Sequence, residues 1–246
     1  MIYGQFADFY DELFDPAMYD SWLGFVRSQG VVKTDSVLDL ACGTGRLAIK
    51  MIQSGYQVAG LDLAPEMLSI AASKAQAAGV ELPLIQGDMT ALGDLGLYNT
   101  ITCFDDSLCY LPNEDEMAEA FREAAAHLTD NGHYLFDVIT PHQTDDVYPG
   151  YMYNFHDDHR AFMWTSYEGD AEHQVEHDLN FFIWNESIKG YDHHAELHVE
   201  RTYPLATYRR LLTQAGFDQI QVFADFGKAE PDADTTRWFF DCRREG

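Results

Sequence analysis

The sequence VLDLACGTG, residues 37–45, predicts a strand, a turn with two glycines and the start of a helix in succession. Glycines let a backbone approach a ligand closely, and the first turn of a helix offers free N–H groups. About twenty residues later a second apolar stretch ends at Asp62, whose carboxylate can accept hydrogen bonds from ribose hydroxyls. We therefore expect a cofactor that contains adenosine at the carboxyl ends of these two strands.

Strand and helix patterns alternate through the first two-thirds of the chain. Apolar and β-branched runs predict strands at residues 36–41, 57–62, 81–86, 98–104 and 133–139. Amphipathic spacing predicts helices at residues 16–29, 46–53, 65–78 and 113–128. This alternation is typical of βαβ units, so we expect an α/β fold with a mostly parallel sheet.

The character of the sequence changes after Pro141. Residues 151–203 are rich in aromatic side chains and histidines and alternate locally, which predicts antiparallel strands of an inserted sheet. A helix at 204–215 and strands at 217–223 and 236–242 follow. We expect a single domain over residues 1–246, with an N-terminal helical cap (1–30), a core (31–140 and 204–246) and a β-rich insertion that forms a substrate lid (141–203).

The composition argues against several classes of partner. The 246 residues include 41 acidic and 15 basic side chains, so the formal net charge is −26. Nucleic acid and an anionic membrane surface would meet a field of their own sign, so we expect a small-molecule partner instead. The N-terminus lacks a secretory signal, no apolar run could span a bilayer, and the four cysteines have no C-x-x-C spacing. These features predict a soluble cytoplasmic protein with reduced thiols.

Two kinds of cofactor fit the glycine-rich turn. Gly43-x-Gly45-x-x-Ala48 with Asp62 formally matches the dinucleotide fingerprint, which would indicate an NAD(P)-dependent oxidoreductase. The alternative is S-adenosylmethionine, which carries a sulfonium and an α-amino group instead of a pyrophosphate. Asp39 favours this alternative, because a carboxylate at the end of the first strand repels pyrophosphate and attracts an ammonium group. At ~4 Å and an effective dielectric constant of ~20, such a contact contributes up to about 4 kcal/mol before desolvation.

Five ordered motifs resemble those of the class I S-adenosylmethionine-dependent methyltransferases. They are VLDLACGTG (37–45), GLDLAPEML (60–68), QGDM (86–89), YNTITCFDDS (98–107) and LTDNGH (128–133). The N-terminal YGQFADFYD (3–11) and the late insertion are similar to a group of bacterial methyltransferases with a β-rich insertion after strand five. The resemblance implies a Rossmann-like, mostly parallel sheet of seven strands with helices on both faces, plus an inserted antiparallel β lid. It also implies S-adenosylmethionine as the cofactor.

The resemblance assigns parts of the cofactor to individual positions. The methionine end is assigned to the backbone of the first motif, at Ala41, Cys42, Gly43 and Gly45. The adenosine end is assigned to Asp62 for the ribose and to Leu63, Met67, Asp88 and Met89 for the adenine. The methyl-transfer site is expected to be lined by Phe104 and Asp105. The residue expected to close over the cofactor is Tyr10, with Tyr3 and Trp22 as further candidates.

Asp106 is the predicted catalytic residue, because it forms an acidic pair with Asp105 beyond the fourth strand and could take a proton or bind a cationic acceptor. A histidine of the insertion is a second candidate for the base. None of the histidine spacings there matches a zinc site, so we expect no metal. The predicted reaction is an in-line displacement, in which an N, O or C atom of a small-molecule acceptor attacks the sulfonium methyl. A non-catalytic S-adenosylmethionine-binding module is a third alternative.

Overall fold

The computed structural model describes residues 16–244, and within them the chain forms eleven strands and five α-helices. The strands are β1 (Ser36–Leu40), β2 (Gln57–Asp62), β3 (Leu84–Gln86), β4 (Tyr98–Cys103), β5 (Leu128–Ile139), β6 (Met152–His156), β7 (Arg160–Glu168), β8 (Gln174–Asn185), β9 (Gly190–Arg201), β10 (Gln219–Phe223) and β11 (Arg237–Arg243). The helices are α1 (Pro16–Ser28), α2 (Arg46–Gln53), α3 (Pro65–Ala78), α4 (Glu114–Ala126) and α5 (Leu205–Ala215).

Seven of the strands form one sheet with the order β10-β11-β5-β4-β1-β2-β3. β1 to β5 pair in parallel, whereas β11 runs antiparallel to both of its neighbours. The strand order reverses at β1, because β2 pairs with one edge of it and β4 with the other. Ligands of doubly wound sheets bind at the carboxyl ends of strands beside such a switch point. The predicted fold class is confirmed, and the switch point coincides with the predicted cofactor region.

Helices cover both faces of this sheet, as predicted. Neighbouring residues of β1 belong to different buried clusters, since Val37 packs with α1 and α2 while Leu38 packs with α4 and α5. α4 lies within the predicted range 113–128, and the side chain of Asn113 caps its start by accepting a hydrogen bond from the backbone N–H of Glu116 at 3.0 Å. Within residues 16–244, none of the helices combines the length and the apolarity needed to cross a bilayer.

Two strand boundaries predicted from the sequence were wrong by three residues or more. β3 begins at Leu84 and not at residue 81, because Pro83 has no N–H group to donate to a neighbouring strand. β5 begins at Leu128 and not at residue 133. Asn131, with a φ of 59°, is an irregularity inside this strand, and the register of β4 against β5 shifts nearby. The pair Asn131-Gly132, which is typical of turns and helix ends, thus interrupts a strand here.

The remaining four strands form a second sheet with the order β6-β7-β8-β9, in which all pairs are antiparallel. The predicted antiparallel insertion is therefore confirmed. Alternate residues of β8 are buried, among them His177 and Phe181. The spacing of His173 and His177 is that of two residues on one face of a strand, but His173 precedes β8 and has a φ of 57°, so the two do not share a strand face. That this sheet acts as a lid, and the domain boundaries at residues 30, 140 and 203, stay predictions.

Candidate functional site

A cavity of about 420 Å³, which we call the first cavity, lies at the carboxyl ends of β1, β2 and β4. Eight residues predicted at the cofactor line it: Asp39, Ala41, Cys42, Gly43, Asp62, Met67, Phe104 and Asp105. Side chains from α1, from the start of α2 and from the turn after β4 also line it, among them Tyr19, Trp22, Arg46 and Tyr110. The topology thus brings residues far apart in the sequence to one crevice at the switch point.

The loop between β1 and α2 is shaped by left-handed backbone. Ala41, Gly43 and Gly45 have φ values of 53°, 53° and 75°. An added Cβ at Gly45 would lie 2.9 Å from the Cβ of Ala71, so this glycine lets α2 begin close against α3. An added Cβ at Gly43 would meet nothing within 4 Å, so the backbone there borders open space. Left-handed backbone at a residue such as Ala41 costs about 1–3 kcal/mol, and such strain concentrates at ligand sites.

Asp62 is held in place by two backbone N–H groups. The N–H of Gly43 donates to Oδ2 at 2.8 Å, and the N–H of Ala64 donates to Oδ1 at 2.9 Å. Each carboxylate oxygen can accept a further hydrogen bond. Asp62 therefore has a fixed orientation and spare acceptor capacity at the first cavity, which fits the ribose partner expected from the sequence.

Asp39 is a buried carboxyl group that no cation of the described residues balances. Its side chain is 3% exposed, and the hydroxyl of Thr102 donates to its Oδ1 at 2.6 Å. No Lys or Arg among residues 16–244 forms an ion pair with it. Burial, together with the neighbouring Asp62, raises the pKa of Asp39 to about 7. A cationic ligand group would favour the ionised form, so the site fits an ammonium better than a phosphate.

A guanidinium group also reaches the first cavity. Arg46 lies over the ring of Tyr19, with 4.7 Å between its Cζ atom and the ring centroid. Burial raises the pKa of Tyr19 to about 12, so its hydroxyl stays protonated at neutral pH. Sequence reasoning missed both residues. The available signal was the position of Arg46, which directly follows Gly45 at the beginning of α2.

Several predicted cofactor residues lie outside the lining of the first cavity. Gly45 is the residue that caps α2, and Met89 packs against the main core cluster. Leu63 is 66% exposed. Asp88 is exposed and accepts hydrogen bonds from the backbone and the hydroxyl of Thr90 at 2.8 and 2.7 Å. Their contacts with adenine stay predictions, and the residues Tyr3 and Tyr10 lie outside the described part of the chain.

A second cavity, of about 400 Å³, lies between the turn after β4 and the four-stranded sheet. Aromatic side chains form much of its wall: Tyr148, Tyr151, Tyr153, Phe162 and Trp164. Asp105 and Tyr110 line this cavity and the first one as well. The two cavities therefore adjoin at these two residues.

The turn after β4 is fixed by a buried ionic network. Arg237 donates to a carboxylate oxygen of Asp106 at 2.6 Å and lies 3.1 Å from Oδ2 of Asp137. Asp137, fully buried on β5, accepts hydrogen bonds from the N–H of Asp106 at 3.1 Å and from the indole N–H of Trp22 at 2.6 Å. Asp105 and Asp106 both have left-handed backbone, with φ values of 61° and 59°. Sequence reasoning missed Asp137 and Arg237, because neither belongs to a recognisable motif.

Three carboxyl groups of the second cavity have raised pKa values. Burial and the neighbouring Asp106 raise the pKa of Asp105 to about 7. Burial raises the pKa of Asp106 to about 6, although Arg237 acts against the shift. Burial and Asp106 raise the pKa of Glu200 to about 8. Glu200 was not predicted as a site residue; the available signal was its two-residue spacing from His198, which puts both on one face of β9.

His177 is the buried histidine of this cavity. Burial lowers its pKa to about 4, so the ring is neutral at physiological pH. The indole N–H of Trp164, which can only donate, lies 3.1 Å from Nδ1. The proton of His177 is therefore assigned to Nε2, which has no hydrogen-bond partner among the described residues. Across residues 16–244, no three His, Cys, Asp or Glu side chains are grouped to hold a metal ion.

Comparison with known proteins agrees with this architecture. A family model described as "Methyltransferase domain" matches residues 37–132. A protein of Geobacillus sp. (strain WCH70) with a provisional methyltransferase name is 35% identical over 248 residues, which cover 99% of this chain and 100% of the relative. The glycine/sarcosine N-methyltransferase of Halorhodospira halochloris is 23% identical over 252 residues, covering 93% and 83%.

A solved structure covers the whole chain. It is an S-adenosylmethionine-dependent methyltransferase from Clostridium acetobutylicum ATCC 824, with a TM-score of 0.86, 25% identity and 100% coverage of both chains. The seven-stranded sheet, its switch point and the inserted antiparallel sheet are thus features of a known enzyme fold. The chain belongs to the class I S-adenosylmethionine-dependent methyltransferases.

Proposed function

We propose that this enzyme transfers a methyl group from S-adenosylmethionine in the first cavity to a small molecule in the second. The observation that carries the proposal is that the cavities adjoin, because Asp105 and Tyr110 line both. A sulfonium methyl directed at this junction would face the acceptor directly. The family membership removes the NAD(P)-dependent oxidoreductase as an alternative.

The residues of the first cavity suit the separate groups of S-adenosylmethionine. The Asp62 carboxylate would accept hydrogen bonds from the ribose, and Asp39 would bind the α-ammonium group. Arg46 would bind the carboxylate of the methionine end. The left-handed loop at Ala41 and Gly43 would lie along the same end, where the backbone borders open space. A dinucleotide would instead bring its pyrophosphate close to the Asp39 carboxylate.

S-adenosylmethionine supplies an electrophilic methyl group with a good leaving group, so the protein mainly has to align the reactants and exclude water. Alignment of this kind can contribute about 7–11 kcal/mol. Trp22 and Phe104, whose ring centroids are 6.1 Å apart, line the first cavity with aromatic surface. Asp106 stays a predicted catalytic residue, but its pairing with Arg237 supports a role in holding the turn that carries Asp105.

The size and the charge of the site support a small acceptor. Cavities of about 300–1,000 Å³ are typical of small-molecule sites, and the second cavity lies within this range. The formal net charge of −26 disfavours nucleic acid and an anionic membrane as partners. The glycine/sarcosine enzyme of Halorhodospira halochloris is an example of a relative named for small acceptors. We further propose a cytoplasmic location, which the four buried free cysteines support.

Incubation with methyl-labelled S-adenosylmethionine and a protein-free small-molecule extract tests the proposal. We expect label in a small product with the wild type and a strong loss with Asp62→Ala. Asp158→Ala is the matched control, because it removes an exposed aspartate of the loop between β6 and β7. Tight cofactor binding without any labelled product across extracts would favour a non-catalytic binding module.

A further inference from the structure

We propose that the methyl acceptor is an amine, that it binds in the second cavity against Glu200, and that the Glu200 carboxylate receives the proton the amine loses. This inference rests on the proposed methyl transfer and names the chemical class of its acceptor. The observations that carry it are a carboxyl oxygen without a partner among the described residues, a set of buried carboxyl groups that the described cations do not balance, and a series of polar groups from Glu200 toward solvent.

Glu200 presents an oxygen atom that nothing in the described chain satisfies. The residue is 6% exposed on β9 and lines the second cavity. Its Oε2 atom has no hydrogen-bond partner among the described residues. A buried acceptor without a partner costs about 1–3 kcal/mol, and more if the group is charged. An N–H donor of a ligand would remove this cost.

The cavity contains more carboxyl groups than cations to balance them. Arg237 is already paired with Asp106 and Asp137. Within residues 16–244, Asp105 has no Lys or Arg ion pair. The basic side chain within ion-pair distance of Glu200 there is the neutral His177, at 3.8 Å between Oε1 and Nε2. Unbalanced carboxyl groups in an enclosed site would favour a ligand that carries or develops positive charge.

Charge development during the reaction distinguishes amines from other acceptors. An amine nitrogen becomes positively charged as it accepts the methyl group, and nearby carboxylates stabilise that charge. An oxygen, sulfur or carbon acceptor is commonly activated as an anion, which the same carboxylates would repel. The aromatic rings of Tyr148, Tyr151 and Trp164 would add cation–π attraction of about 0.5–2 kcal/mol. The site therefore favours nitrogen.

A second polar atom without a partner among the described residues indicates which further group the acceptor carries. The Nε2–H of His177 lines the same cavity and has no acceptor among the described residues. It can donate to a hydroxyl or carbonyl oxygen of the acceptor while Glu200 binds the nitrogen. We therefore expect an amine that also carries a hydroxyl or carbonyl oxygen.

A series of polar groups leads from Glu200 toward solvent. The hydroxyl of Tyr110 acts against the rise in the pKa of Glu200, and it lies 2.9 Å from Nδ1 of His198. The Nε2 atom of His198 lies 2.9 Å from a carboxylate oxygen of Glu196, whose side chain is 31% exposed. A proton taken up by Glu200 thus has a path of polar groups out of the cavity.

At about pH 8 and above, a large share of Glu200 is ionised and can accept a proton. The ammonium form of the acceptor then gives one proton to the Glu200 carboxylate, which leaves a nitrogen with a free electron pair. This pair forms the new N–C bond while the C–S bond breaks and its electrons stay on sulfur. The products are S-adenosylhomocysteine and the methylated ammonium ion, and Glu200 later releases its proton along Tyr110 and His198.

Binding of two fragments to the enzyme saturated with S-adenosylhomocysteine tests the inference without turnover. Benzylamine and benzyl alcohol have the same ring and differ in charge at the probing group. At about pH 8 we expect benzylamine to bind about tenfold more tightly in calorimetric titrations. Glu200→Gln should reduce this preference to about threefold or less. Glu186→Gln, which changes an exposed glutamate in the turn between β8 and β9, should leave it intact.

These binding experiments distinguish failure of the amine inference from failure of the proposed methyl transfer. Equal affinity of the wild type for both fragments overturns the inference, and this result does not depend on the folding of any variant. A benzylamine preference that survives Glu200→Gln also overturns it. Failure of the wild type to bind S-adenosylhomocysteine contradicts the proposed function itself.

Discussion

The guanidinium of Arg237 on β11 forms a buried ion pair with the carboxylate of Asp106, at 2.6 Å between Nη2 and Oδ2. The pair connects the last strand of the chain to the turn after β4, and Asp137 on β5 stands beside both. Because Asp105 precedes Asp106 in this turn, the same network fixes the residue at which the two cavities adjoin. The final strand thus contributes to the geometry of the site although no cofactor motif includes it.

Replacement of Arg237 by methionine is expected to destabilise the protein strongly. The change leaves Asp106 and Asp137 buried without their cation, and breaking a buried pair in this way typically costs about 3–5 kcal/mol. Thermal unfolding of Arg237→Met should therefore show a melting temperature lower by on the order of 10 °C. Arg210→Met is the control, because it removes an exposed pair with Glu114 and should change stability by less than about 1 kcal/mol. Similar melting temperatures for the two variants would contradict the role assigned to Arg237.

Asp62→Ala is expected to weaken binding of S-adenosylmethionine by about 1–3 kcal/mol, because buried ribose hydroxyls would lose their acceptor. Calorimetric titration measures the effect. The same titration of Asp88→Ala shows how much affinity is lost when an exposed aspartate is removed, since Asp88 already accepts hydrogen bonds from Thr90. Unchanged affinity in Asp62→Ala would show that the ribose lies elsewhere.

Affinity for S-adenosylmethionine is expected to increase with pH. Burial raises the pKa of Asp39 to about 7, so the empty site is mostly protonated at pH 6 and mostly ionised at pH 8. The ionised form is the one that we propose binds the α-ammonium group, so the association constant should rise about tenfold over this interval. Asp39→Asn should bind the cofactor weakly and with little pH dependence. A wild-type affinity that is flat over the interval would contradict the ammonium assignment.

Ionisation of Asp39 is expected to lower the stability of the cofactor-free protein at high pH. The pKa of Asp39 is raised on folding, so the folded protein binds more protons than the unfolded chain between about pH 4 and pH 7. Its contribution to the free energy of unfolding is therefore present at low pH and is lost as the pH rises to about 7. At pH 8 the cofactor-free Asp39→Asn variant should be more stable than the wild type by about 1–3 kcal/mol. Urea unfolding at pH 5 and pH 8 measures this, and parallel pH profiles for the two proteins would refute it.

The sequence predicts the first cavity better than the second for a physical reason. Asp39, Gly43 and Asp62 belong to short segments in which a strand runs into a turn, so their positions at the carboxyl ends follow from local patterns. Glu200 and His177 lie on different strands of the inserted sheet, where His177 is paired with His198. Such neighbours depend on strand register, and alternation in a sequence does not reveal register.

Prediction from local sequence also failed where the same pair of residues occurs in two kinds of structure. Asn131-Gly132 is typical of a turn or a helix end, yet here it interrupts β5. For Arg237 the sequence offers no local signal at all, since nothing in the neighbouring residues indicates a buried ion pair. Its partners Asp106 and Asp137 come from the turn after β4 and from β5, and the antiparallel pairing of β11 with β5 brings Arg237 to them.

A crystal structure of the complex with S-adenosylhomocysteine tests the relationship between the two cavities most directly. We expect the ribose hydroxyls on Asp62, the ammonium group on Asp39 and the sulfur atom beside Asp105, facing the second cavity. A sulfur atom directed away from Asp105 and Tyr110, or an adenosine seated in the second cavity, would contradict the proposed transfer of a methyl group across this junction.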